Sequence, residues 1–179
     1  MKTKPKRCKK CPYYKQPRVK SSGGNEYGIA MVGEAPGRSE VEEGKPFVGE
    51  AGQMLNNILK KLKLKRRKIR TINTVSCRPP KNENPKPEAI ARCRKRLWKE
   101  LINGKFKLIV CLGRFARNEI MGPGAMWGRF RRVEAMEGTV AVAVKHPAYW
   151  NYRGKDLDGA VEEYKIIRKW FKHKDVFDE

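Results

Sequence analysis

The residues best suited to chemistry fall into five short stretches. Cys8-Lys9-Lys10-Cys11 is a CxxC pair, and Cys77 and Cys93 stand far downstream with fifteen residues between them. A CxxC turn can offer two thiolates to one side of a metal, and two distant cysteines can close the other side. Four thiolates suit Zn²⁺ or an iron–sulfur cluster, and spacing alone leaves both open. The lysines of the pair, with Arg78 and Arg94 beside the later cysteines, favour the thiolate form. The fifth cysteine, Cys111, lies within an apolar run (LIVCLG) and is expected in the core.

The other stretches are rich in glycine, proline and aromatics. In Gly33-Glu34-Ala35-Pro36-Gly37 the glycines allow a ligand close to the backbone, and Glu34 and the nearby Glu40 add acceptors. The turn lacks the Lys-Ser/Thr of a P-loop. Phe47, in Pro-Phe-Val-Gly, can stack on a flat base or cover a sheet edge. The Asn73 amide carries both donors and an acceptor, which is what reading a base edge requires. His146 is one of two histidines, and Pro147 stiffens its loop. Its imidazole can donate to a carbonyl that gains charge in a transition state. Tyr149, Trp150 and Tyr152 cluster beside Arg153 and suit stacking on, or wedging into, nucleic acid.

Elements that could position these groups are legible from periodicity. Apolar runs at 27–33, 69–75, 106–112 and 139–144 read as four strands. Helices are expected over 50–62, 87–102, 114–120 and 156–172. Their inward faces are Ala51, Met54, Leu55, Ile58, Leu59 and Leu62; then Ile90, Cys93, Leu97 and Leu101; then, in the last helix, Ala160, Tyr164, Ile167 and Phe171. Residues 34–49 and the segment after 144 read as loops, and 121–138 as irregular with room for a short strand. Alternating strands and helices predict an α/β fold: a three-layer α/β/α sandwich on a central four-stranded, mostly parallel sheet. The polar stretches follow directly after the apolar runs. In a parallel sheet they meet at the carboxyl edge, where such folds bind ligands.

Length and charge bound the possibilities. The chain has 179 residues, which suits one domain (1–179), with 1–26 as a basic arm carrying two of the cysteines. Lys and Arg number 42 against 19 Asp and Glu, a net charge of +23. Such a surface favours a polyanion, nucleic acid first. No apolar run approaches the roughly 20 residues that span a bilayer. The first residues lack the apolar stretch of a secretory signal, so a cytoplasmic location is expected, with no membrane partner and no disulfide framework.

Taken in order, CKKC, GEAPGRSE, GKPFVGEAGQML, NTVSCRPP, Cys93, CLGRFA and HPAYW resemble family 4 uracil-DNA glycosylase over about residues 8–153. The resemblance implies a four-stranded parallel sheet, a 4Fe-4S cluster on Cys8, Cys11, Cys77 and Cys93 in preference to zinc, and hydrolytic removal of uracil from DNA, single or double stranded. A monomer is expected. Carried over residue by residue, Phe47 stacks on the flipped base, Asn73 reads its Watson–Crick edge, and His146 stabilises the uracil anion at O2. Gly33, Glu34 and Ala35 border base and sugar, and Glu34 and Glu40 are candidates to handle the attacking water. Tyr149, Trp150 and Arg153 face the DNA. Four places depart from the family pattern. Val41 replaces an Asp, Glu83 an Arg, and Trp150-Asn151-Tyr152 a Leu-Leu pair, while Lys145 replaces an apolar or aromatic residue. These departures keep open a glycosylase for another modified base, or a binding protein without catalysis.

Overall fold

The computed structural model describes residues 4–177. Its sheet is built from β1 (Ile29–Gly33), β2 (Arg70–Asn73), β3 (Leu108–Leu112), β4 (Arg131–Arg132) and β5 (Val140–Val144) in the order β2-β1-β3-β5-β4. The pairs β2–β1, β1–β3 and β3–β5 are parallel, and β4 pairs antiparallel with β5. The sheet therefore has five strands, not four. The extra one is two residues long, Arg-Arg, and exposed, so it carries no apolar signature. It lies within the stretch where a short strand had room to form.

Six α-helices among the described residues accompany the strands: α1 (Arg38–Glu43), α2 (Glu50–Lys61), α3 (Pro87–Gly104), α4 (Arg114–Met121), α5 (Pro147–Tyr152) and α6 (Leu157–Phe177). On one face of the sheet, Ile29, Met31, Val110 and Val142 pack with Leu55 and Ile58 of α2, Trp150 of α5 and Tyr164 and Ile167 of α6. On the other, Ala30, Val32, Ile109, Cys111 and Ala143 pack with Leu97 and Leu101 of α3 and Ala116 and Ile120 of α4. The strands are buried on both faces, which is why they read as unbroken apolar runs. Cys111 is buried in this core, as expected. Trp170 is a core residue of α6 that the periodicity had not marked, and Phe171 beside it is only partly buried.

Two segments expected as loops contain helices. The short helix α1 forms inside 34–49 with the Glu40 carboxylate accepting from the N–H of the N-cap Gly37 at 3.0 Å, the reciprocal half of a capping box. One turn of α5 follows His146, with Pro147 in its first turn, where a missing N–H costs nothing. Short helices among glycines and prolines leave too few residues for a periodic pattern.

The N-terminal arm has almost no core of its own and docks on β2. Ser22 bridges antiparallel to Thr71, and Arg18 to Cys77. The Val19 N–H donates to Ser76 O at 2.8 Å. Tyr13 is buried beside Val75 and Ala89, and its hydroxyl accepts from the Lys86 N–H at 2.8 Å. The arm thereby covers the edge of the sheet and carries Cys8 and Cys11 towards Cys77 and Cys93. No helix among the described residues is long and apolar enough to cross a membrane.

Candidate active site

The carboxyl ends of β1, β2 and β5 open onto a cavity of about 440 Å³. Glu34, Ala35, Glu40, Phe47, Asn73 and His146 all line it. These residues lie up to 112 positions apart in the chain (Glu34 to His146), and the parallel register gathers them. Gly33 pairs with Asn73 across β1 and β2. Beyond the strand ends the ladder continues, with the Thr74 N–H donating to Gly33 O at 2.9 Å and the Val75 N–H to Glu34 O at 3.1 Å. The backbone that carries Glu34 is fixed by sheet hydrogen bonds up to the rim.

Gly33 itself lies beneath the cavity, not in its wall. A methyl group there would stand 2.4 Å from Phe47 Cζ and 2.7 Å from Asn73 Oδ1. Only glycine lets the ring and the amide approach each other over β1. Gly52 plays the same part behind the loop, since a side-chain carbon on it would meet Phe47 O at 1.8 Å. Phe47 is buried, with a left-handed backbone (φ 57°) that is unfavourable for a bulky residue. Its ring lies 5.8 Å from that of His146, tilted by 28°. The Arg66 guanidinium also stacks on it, 5.6 Å from the ring centre, and donates to Asn56 Oδ1 at 2.8 Å and Pro46 O at 3.2 Å. Nothing in the basic run KLKRRK distinguishes Arg66 from its neighbours in sequence.

The two acidic residues differ in what they do. Glu40 accepts from the Gly37 N–H through Oε2 at 3.0 Å, and from the Val48 and Gly49 N–H groups through Oε1 at 3.0 and 2.9 Å. Its carboxylate is occupied in joining the Gly-Glu-Ala-Pro-Gly turn to the Phe47 loop. Glu34 carries no such set of bonds. Burial pushes its pKa above the ordinary carboxylate range, and Arg114 pulls it partly back. Asn73 is buried to 7% exposure, and its carbonyl oxygen accepts from Arg96, which leaves its side-chain amide for the cavity.

His146 caps α5. Its Nδ1 accepts from the Ala148 N–H at 3.2 Å. Burial lowers its pKa to about 4, against the opposing pull of Glu40. The ring is therefore neutral at pH 7, and because Nδ1 is an acceptor, the proton sits on Nε2. That combination presents a neutral N–H donor.

The aromatic rim departs from expectation. Trp150 does not face DNA: it is 8% exposed and packs into the core with α2 and α6. One helical turn explains this, because α5 places Tyr149 and Tyr152 three residues apart on one face and Trp150 on the other. Tyr152 is 89% exposed and lines the cavity mouth with Asn151, while Tyr149 and Arg153 are exposed beyond it. The His-Pro pair, a cap followed by a first-turn proline, was the signal in the sequence that could have separated Tyr152 from Trp150.

The four cysteines converge on the far side of β2. Cys11, Cys77 and Cys93 pack around Tyr13, Val75 and Ala89. Burial raises the Cys77 thiol pKa and the Cys93, Cys11 and Cys8 thiolates raise it further, while Lys4 opposes them. All four are free thiols. Among the described residues, no group of three or more His, Cys, Asp or Glu is arranged to hold a single metal ion.

The uracil DNA glycosylase superfamily model matches residues 22–172. A type-4 uracil-DNA glycosylase of Archaeoglobus fulgidus is 35% identical over 173 residues, covering 89% of this chain and 86% of that one. Type-4 uracil-DNA glycosylases of Pyrobaculum aerophilum (39% over 118 residues, 65% of this chain and 60% of that one) and Sulfurisphaera tokodaii (35% over 154 residues, 84% and 66%) are similar as well.

Proposed function

The chain belongs to the uracil-DNA glycosylase superfamily, and within it to the type-4 enzymes; from that premise we propose a role for each residue of the cavity. The protein hydrolyses the bond between uracil and deoxyribose in DNA. The convergence of Phe47, Asn73 and a neutral His146 on one cavity is the observation that carries the assignment of roles.

A base inside a duplex is out of reach, so the nucleotide must rotate out of the stack, at a cost of a few kcal/mol. Tyr152, exposed at the cavity mouth, is placed to occupy the gap, and the +23 charge grips the phosphates. Phe47 offers the ring on which uracil stacks. Asn73 pairs with its Watson–Crick edge, its amide answering both the carbonyl and the N3–H. As the bond between C1′ and N1 breaks, its electron pair moves onto the base and charge gathers at O2. The Nε2–H of His146 donates there. A neutral donor suits this task, since it stabilises the anion without first giving up its proton. Such preorganised donors are worth on the order of 3–4 kcal/mol.

Water then bonds to C1′, and the proton it loses ends on the departed uracil anion, which leaves as neutral uracil. Ala35 offers no group for this step. Glu34 is the acidic residue free to hold the water, and Glu40 is a positioning residue for the walls, not a base. Among the described residues, no lysine lines the cavity to offer a Schiff-base nucleophile, which supports a monofunctional enzyme.

The four cysteines fit a 4Fe-4S cluster. Three free thiols, Cys11, Cys77 and Cys93, pack around an apolar patch, and the Cys8 thiolate acts electrostatically on Cys77. A buried guanidinium nitrogen of Arg96, on the helix that carries Cys93, lacks a partner. A cluster supplies a staple between the arm and α3, with no electron transfer in the reaction.

A labelled oligonucleotide with one U opposite G, and the same strand alone, tests this reading. Strand breaks that require alkali after incubation are the expected result. No uracil release from folded protein, or breaks without alkali, would overturn it.

A further inference from the structure

Arg96 lies between the cavity and the cysteines. It is on α3, one turn after Cys93. Its Nη2 donates to Asn73 O and, at 3.0 Å, to Thr74 O. Its Nη1 lies 3.6 Å from Glu100 Oε2. The side chain is 13% exposed, and Nε is buried with no hydrogen-bond partner. An unmet donor in such a place is costly, of the order of 1–3 kcal/mol and more on a charged group. Something must be able to accept from it. Cys93 lies one turn before Arg96 on the same helix, and Cys77 follows three residues after Thr74, whose carbonyl Arg96 holds. Glu100 is already shared, with Arg70 donating to its Oε1 from Nε at 3.1 Å and Nη2 at 3.0 Å. Arg18 faces the same guanidinium and repels it.

We propose that Arg96 is a positioning residue coupling the four-cysteine site to uracil recognition, with Nη2 holding the backbone of Asn73 and Nε–H donating to a cysteine sulfur of the loaded cluster. This rests on the cluster and the Asn73 role proposed above. Loading the cysteines satisfies the donor, fixes the guanidinium, and thereby fixes the carbonyl next to the amide that reads the base. Hydrogen bonds to ligands of this kind typically change metal affinity or activity 10–100-fold.

The test is Arg96→Lys in the cluster-loaded protein, which keeps the charge and one donor but loses the planar fork. Two readouts are taken: the rate at which a chelator bleaches the cluster absorption, and inhibition by free uracil. Bleaching about tenfold faster together with about tenfold weaker uracil inhibition is expected. Faster bleaching with unchanged inhibition overturns the coupling. Weaker inhibition with unchanged bleaching overturns the bond to sulfur. If the lysine variant does not fold, wild-type protein labelled with ¹⁵N at arginine Nε answers the same question. Magnetic coupling of one such nitrogen to the reduced cluster supports the proposal, and its absence overturns it. A wild-type protein that takes up no iron on anaerobic reconstitution fails differently, because it removes the cluster reading itself.

Discussion

The cavity and the four-cysteine site flank the same strand end yet are built on different terms. In the cavity, polar groups that set the shape are satisfied from within the chain. Glu40 takes three backbone N–H groups, and His146 Nδ1 takes another. What is left unengaged there, the Asn73 amide, the His146 Nε2–H and Glu34, is what the reaction needs. At the cysteines the shaping groups are themselves unsatisfied. Four thiols repel one another as they ionise, and the Arg96 Nε has no partner. The cavity's shaping groups are partnered within the chain, whereas the cysteine site would be completed by the cluster proposed for it. Substitutions in the first should therefore cost rate at little cost in stability, and in the second the reverse.

The largest effect is expected at the donor to uracil. His146→Ala should lower the single-turnover rate about 10²–10³-fold, with the melting temperature falling by no more than roughly 5 °C, the cost of the lost helix cap. A large thermal shift there would break the contrast. Cys93→Ser should do the opposite, losing cluster absorption and lowering the melting temperature by roughly 10 °C, with the rate of the surviving folded protein within about tenfold of wild type. Glu40→Gln falls between the two. Its single amide oxygen can still accept from Val48 and Gly49, but the NH2 group then faces the Gly37 N–H and that bond is lost, so a rate loss of about tenfold with a modest fall in stability is expected.

His146 also sets a pH dependence with a definite sign. Its pKa falls from 6.5 to about 4 on folding, so between these values the unfolded chain binds the extra proton. Its contribution to stability is complete above pH 6.5 and is lost as the pH falls towards 4. The rate should show no inflection near 6.5, and the stability of a His146→Gln variant should vary less than wild type across that window in urea titrations. The smallest effect belongs to Tyr152→Ala, at the exposed rim. KM for duplex DNA should rise several-fold, with less change for single strands, where no partner base leaves a gap.

The four main strands and the longer helices were legible because each carries enough apolar residues for a period to show. The convergence at the carboxyl edge followed from topology alone. What escaped the sequence is tertiary in origin. Glu40 stood as a candidate to handle the attacking water because nothing local reveals that its acceptors serve the Gly37, Val48 and Gly49 N–H groups. Trp150 looked like a wedge because its burial depends on a single turn of helix lying over α2 and α6. Arg66 and Arg96 are two among 42 cationic side chains, and only packing shows that one backs Phe47 while the other reaches the Asn73 carbonyl.

The most direct test of a preorganised uracil cavity is single-turnover excision from a U·G duplex by wild type and Asn73→Ala, both at saturating enzyme and with DNA affinity measured in parallel. A rate loss of about 10²-fold or more with affinity within a few-fold of wild type is the expected result. Equal rates, or a loss explained entirely by weaker DNA binding, would contradict it.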